Sequence, residues 1–103
     1  MKRTKNMYYK ETEESRELFL YTTNDGRLYE TIITPVINNL KKKAEKGIYN
    51  SEKAIDIYYR VATAGSDKYY KDFGYKFNVT DRFTVAVELE EYYKEEVFYD
   101  IEN

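Results

Sequence analysis

Apolar residues fall at Leu28, Ile32, Ile33, Val36, Ile37 and Leu40, a spacing that keeps one face of an α-helix apolar. The polar turn Thr22-Thr23-Asn24-Asp25-Gly26 precedes this helix, and Asn24 or Asp25 can cap its exposed amides. Gly47 stops it, behind lysines placed where the helix dipole favours cations. Pro35 interrupts the run because it has no N–H and its ring crowds the carbonyl of Thr31. Either the helix kinks there, or a second one starts with Thr34 as cap and Pro35 as first residue. The stripe keeps its register through the proline, which favours the kink.

A second helix is predicted from Asn50 or Ser51 to about Phe73, with Ile55, Tyr58, Tyr59, Ala62, Tyr69 and Phe73 inward and Gly74 as its stop. Gly65 lies inside it at a cost of about 1 kcal/mol against alanine. A third helix follows, with Thr80 as cap and Asp81 in its first turn. Its inward face is Phe83, Ala86, Leu89, Tyr93 and Val97, leaving Glu90, Glu91, Lys94 and Glu95 in water. The fold expected is mainly α, a small three-helix bundle. Phe77 and Val79 alternate like a strand and can pair with Leu18 and Leu20, which adds a short two-stranded ribbon as an option.

Residues 1–17 carry no useful period. Lys2, Arg3, Lys5 and Lys10 come first, and four glutamates with Arg16 follow, a charge block that reads as a mobile arm. The remainder, 18–103, reads as a single helical domain. In a chain of 103 residues with no cysteine, packing alone must hold that domain, with or without a partner. No apolar stretch follows the basic start and no run approaches the length of a membrane helix, so a cytoplasmic setting is expected.

Composition narrows the chemistry. Histidine and cysteine are absent, which removes the usual neutral-pH base, thiolate nucleophiles and zinc ligands. The calcium-loop register is missing after Asn24-Asp25-Gly26, and the four glycines form no phosphate loop. The reading is therefore no enzyme, no catalytic residues, no metal and no cofactor.

Two features point to binding. Residues 88–102 hold seven acids and one base, interleaved with Tyr92, Tyr93, Phe98 and Tyr99. Carboxylates pair with Arg and Lys, while tyrosine supplies contact area at small entropic cost. Glu90, Glu91, Tyr92, Glu95, Glu96 and Tyr99 are thus the candidate partner-binding set, suited to a basic protein or nucleoprotein surface. The alternative is a nucleic-acid interface built on Lys41, Lys42, Lys43 and Lys46, against which stands a net charge of -2. Tyrosine pairs at 8–9, 58–59, 69–70 and 92–93 put some rings at the surface, which favours self-association or capture of another protein.

The order of signals from Leu20 to about Tyr93 carries a resemblance. Its elements include Tyr21 to Tyr29, the stretch Thr34-Pro35-Val36-Ile37-Asn38-Asn39-Leu40, Lys43, Gly47-Ile48-Tyr49, Lys53-Ala54, Tyr70-Lys71-Asp72-Phe73, and Arg82 with Ala86 and Leu89. Together they resemble a family of small proteins of tailed phages and prophages, the Pro-x-x-x-Asn-Leu stretch with Gly-x-Tyr downstream being the most specific part. The resemblance covers about three quarters of the chain and carries over no catalytic residues. It implies a phage source and, by analogy with anti-CRISPR and other anti-defence proteins, a stoichiometric inhibitor of a host nucleic-acid-handling complex.

Overall fold

A computed structural model describes residues 11–99 and 101. Its helices are α1 (Glu13–Asn24), the single turn α2 (Gly26–Leu28), α3 (Thr34–Glu45), α4 (Ser51–Phe73) and α5 (Val79–Val97), with a π-helical turn at Tyr29–Ile33 between α2 and α3. The bundle is mainly helical, as expected, with one helix more than the hydrophobic stripes reveal. Among the described residues there is no strand: Leu18 and Leu20 are helical and 74–78 is irregular, so the ribbon does not form.

The additional helix is α1. Of the predicted 1–17 arm, residues 1–10 lie outside the described residues, and Glu13 to Glu17 form the beginning of this helix. Its start is fixed by a capping box in which Ser15 N–H donates to Thr12 Oγ1 at 2.9 Å and Thr12 N–H donates to Ser15 Oγ at 2.8 Å. The Thr12 hydroxyl also donates to Asp81 at 2.9 Å, tying the start of α1 to the start of α5. Thr22, Thr23 and Asn24, read as a turn, continue the helix, and the chain leaves it only at Asp25, whose ψ is 111°. Asp25 then caps the next segment by accepting from Leu28 N–H at 2.9 Å.

The helical path runs on through Pro35. Thr34 is helical and makes no side-chain cap; its N–H reaches back five residues to the Tyr29 carbonyl. Widening the helix into a π turn just before the proline absorbs the missing N–H and the crowded carbonyl without ending the helix. The predicted stripe holds, with Leu28, Ile33, Ile37 and Leu40 buried and Ile32 and Val36 packed against the core from the side.

α4 is unbroken over 23 residues. Asn50 caps its start, and Gly74, at φ 77°, ends it. Its buried residues include Ala54, Tyr58, Val61, Ala62, Gly65 and Ser66, a face rotated from the one expected; Phe73 is exposed. Gly65 marks where α1 crosses: a Cβ there would overlap Thr22 Oγ1 and lie 3.2 Å from Thr22 Cβ. The close approach explains a glycine inside a long helix.

α5 is the central element, contacted by α1, α3 and α4. Asn78 rather than Thr80 caps it, accepting from Asp81 N–H at 2.7 Å. Ala86, Leu89, Tyr93 and Val97 are buried as expected, Phe83 is half-buried, and Thr84, Val85 and Val87 are buried as well. Arg82 stitches the α4–α5 connection by donating to the Phe77 carbonyl at 2.7 Å and to the Tyr59 hydroxyl at 3.1 Å.

Gly65→Ala tests the crossing. Alanine favours the helix by about 1 kcal/mol, yet forcing α1 from α4 costs more, so a net loss of about 2 kcal/mol is expected in denaturant unfolding. Adding Thr22→Ala, which removes the overlapping hydroxyl, should recover most of it. A stabilised single variant would show that the helices do not meet this closely.

Candidate functional site

The acids of α5 are sorted by where the neighbouring helices stop covering it. Glu90, predicted to lie in water with its neighbours, is instead 3% exposed. Its Oε2 accepts from the Tyr49 hydroxyl at 2.7 Å and the Ser51 hydroxyl at 2.9 Å, and pairs with Lys94 Nζ at 3.2 Å. Successive helix residues point about 100° apart, which is why Glu91 is exposed while Glu90 faces the start of α4. Three donors on one oxygen compensate the burial of that carboxylate. Glu90 is therefore a structural clasp holding the α3–α4 connection against α5, and it drops out of the docking set.

The rest of the set remains accessible. Glu91, Tyr92, Glu95 and Tyr99 line an open groove of about 810 Å³, with Tyr49 and Phe98 beside them. Tyr92 is 59% and Tyr99 68% exposed. Tyr92 is held from behind by edge-on contacts with Phe19 and Tyr93, with ring centroids 5.4 Å and 4.9 Å away. Glu96 is exposed outside the groove lining and accepts from the Tyr29 hydroxyl at 3.3 Å. The aromatic pairs split as helix geometry requires: Tyr58 and Tyr93 are buried, Tyr59 and Tyr69 half-buried, Tyr70 and Tyr92 exposed.

The alternative set sits elsewhere. Lys41 is half-buried, while Lys42, Lys43 and Lys46 are exposed at the end of α3. There Gly47, at φ 75°, lets its own N–H reach Ala44 O at 3.0 Å and Ile48 N–H reach Lys43 O at 2.9 Å. None of the four lines the tyrosine groove. Among the described residues no group of three or more carboxylates is gathered as a metal cage, and no helix is long and apolar enough to cross a membrane.

Sequence reading missed a second groove of about 810 Å³, where Arg27 and Thr31 meet Lys68, Tyr70 and Lys71 of α4 and Lys76 beyond it. These residues are scattered from 27 to 76, so no local cluster announces them. Lys68 is held by Asp25 at 3.1 Å and Asp72 at 3.5 Å. The Asp25 hydrogen bond, with that of Tyr21, keeps its ammonium above the usual lysine range. No family model, curated protein or solved structure matches the chain.

Tyr49 at the edge of the α5 groove and the buried Tyr58 and Tyr93 hold their protons beyond the ordinary tyrosine range. Burial, chiefly, raises the Tyr49 and Tyr58 hydroxyls above their ordinary value and pushes Tyr93 up to about 12; the hydrogen bond to Glu90 adds to the shift at Tyr49. Folded pKa values above the unfolded value near 10 mean that their contribution to stability is complete below that pH and declines above it. Tyr93 sustains that decline to about pH 12. Alkaline titration should show exposed tyrosines ionising first, with the rest appearing together with loss of helical circular dichroism. Complete tyrosine ionisation with the helices intact would contradict this.

Proposed function

We propose that this chain is a non-enzymatic binding protein of the phage type, which inhibits a host nucleic-acid-handling complex in the cytoplasm by covering a basic surface with the end of α5. The observation that carries this reading is the joint exposure of Tyr92 and Tyr99 in one groove with Glu91 and Glu95. Exposed tyrosines offer anchors for a protein interface, and carboxylates between them select Arg- and Lys-rich partners. A surface that normally receives phosphates presents those cations, so this acidic face would compete for the same place. The family resemblance supports the phage source, and analogy with anti-CRISPR proteins supports RNA-guided nucleases as first targets. Glu96, beside the groove, adds to the field.

Equilibrium binding to purified RNA-guided nuclease complexes at low and high salt tests this. Binding should weaken with salt, and reversing Glu91 and Glu95 to lysine should weaken it by about a hundredfold, the scale expected for two interfacial charge contacts. Unchanged affinity in that variant would remove α5 as the docking surface. The alternative, a nucleic-acid-binding accessory protein using Lys41, Lys42, Lys43 and Lys46, draws on the exposure of the last three. Tight, salt-sensitive gel shifts of bare oligonucleotides, lost when these lysines are neutralised, would favour it instead.

A further inference from the structure

The groove at the end of α4 carries the opposite charge pattern to the groove on α5. Lys68 is already matched by Asp25 and Asp72. Arg27 and Lys71 are exposed and make no ion pair among the described residues. Lys76 lies over the Tyr70 ring, 5.4 Å from its centroid, and that ring is itself 48% exposed. The groove thus holds an accessible tyrosine among four cations, Lys68 included, against two carboxylates, Asp67 and Asp72. On α5 the arrangement is inverted: Lys94 is occupied by Glu90, and Glu91 and Glu95 flank Tyr92 and Tyr99.

The two grooves also lie at opposite ends of one rigid element. Ser51, the first residue of α4, borders the acidic groove, and Lys68 and Lys71, near its last, border the basic one. At 1.5 Å per residue the axis between Ser51 and Lys71 is about 30 Å long. One chain cannot bring the two grooves together. Two chains can, and the contact then joins unlike patches, leaving a free acidic groove at one end and a free basic groove at the other.

We propose that the occupant of the basic groove formed by Arg27, Tyr70, Lys71 and Lys76 is the acidic, tyrosine-bearing α5 end of a second copy of this chain. Rows of head-to-tail contacts result, weak because each groove is small and salt-sensitive because the contact is charge-led. The proposal rests on the docking role given above to the α5 face and names one partner for it. It also gives that face a regulator, since a copy engaged through its acidic groove must dissociate before α5 can cover another basic surface.

Sedimentation velocity of the full chain tests this, with two double variants that neutralise one groove each: Glu91→Gln with Glu95→Gln, and Lys71→Gln with Lys76→Gln. At about 0.5 mM chain and low salt the wild type should sediment as a concentration-dependent series, and a tenfold rise in salt should shift it toward monomer. Each variant alone should be monomeric with unchanged circular dichroism. Mixed in equal amounts, they should form a dimer and nothing larger, because one intact groove of each kind remains. A monomeric wild type, association that survives in either variant, or a mixture that stays monomeric would overturn the proposal. The docking reading is judged separately: the Lys71/Lys76 variant keeps the acidic groove, so it should bind a nuclease complex as the wild type does, whatever the sedimentation result.

Discussion

Four consecutive residues of α5, Thr84 to Val87, are shielded from solvent. At about 100° per residue they sweep most of the way round the helix, so burial there requires neighbours on more than one side. α1, α3 and α4 supply them. This enclosure is the constraint on which the rest of the molecule depends. It explains why α1 must be tied to the start of α5 through Thr12 and Asp81, and why α4 must let α1 approach closely enough that only glycine fits at position 65.

The same enclosure loosens toward the end of α5 and divides a run of acids that looks uniform. Glu90 is still covered, and its carboxylate survives burial because Tyr49, Ser51 and Lys94 all converge on it. Glu91 and Glu95 are exposed beside Tyr92, whose ring is packed from behind by Phe19 and is itself largely accessible. Buried and exposed carboxylates thus stand side by side within one turn. α4 then fixes the distance between this acidic end and the cations gathered at its own far end, giving the molecule two dissimilar ends.

Much of this was legible in the chain. The α3 stripe, the Asn50 cap, the glycine stops at 47 and 74 and most of the α5 core follow from spacing and capping chemistry alone. α1 was missed because its signals are polar. A Thr–Ser capping box starts it, Thr22 is buried without making it apolar, and its glutamates read as part of a charge block. The ribbon was an error of short range: Leu18 and Leu20 alternate over too few residues to exclude a helix. Glu90 was misplaced because burial of a carboxylate depends on donors from a loop some forty positions away, and the basic groove was invisible for the same reason. Spacing reports which residues share a face and is silent on which neighbours arrive to cover it.

The division between Glu90 and its exposed neighbours is the central claim, and paired thermal unfolding measures it most directly. Glu90→Lys places a cation beside Lys94 under the Tyr49 hydroxyl and should cost about 3 kcal/mol or more, the scale of a broken buried ion pair. Glu95→Lys, on the open face, should stay within about 0.5 kcal/mol of the wild type. Equal losses, or a Glu90→Lys chain as stable as the parent, would contradict the account.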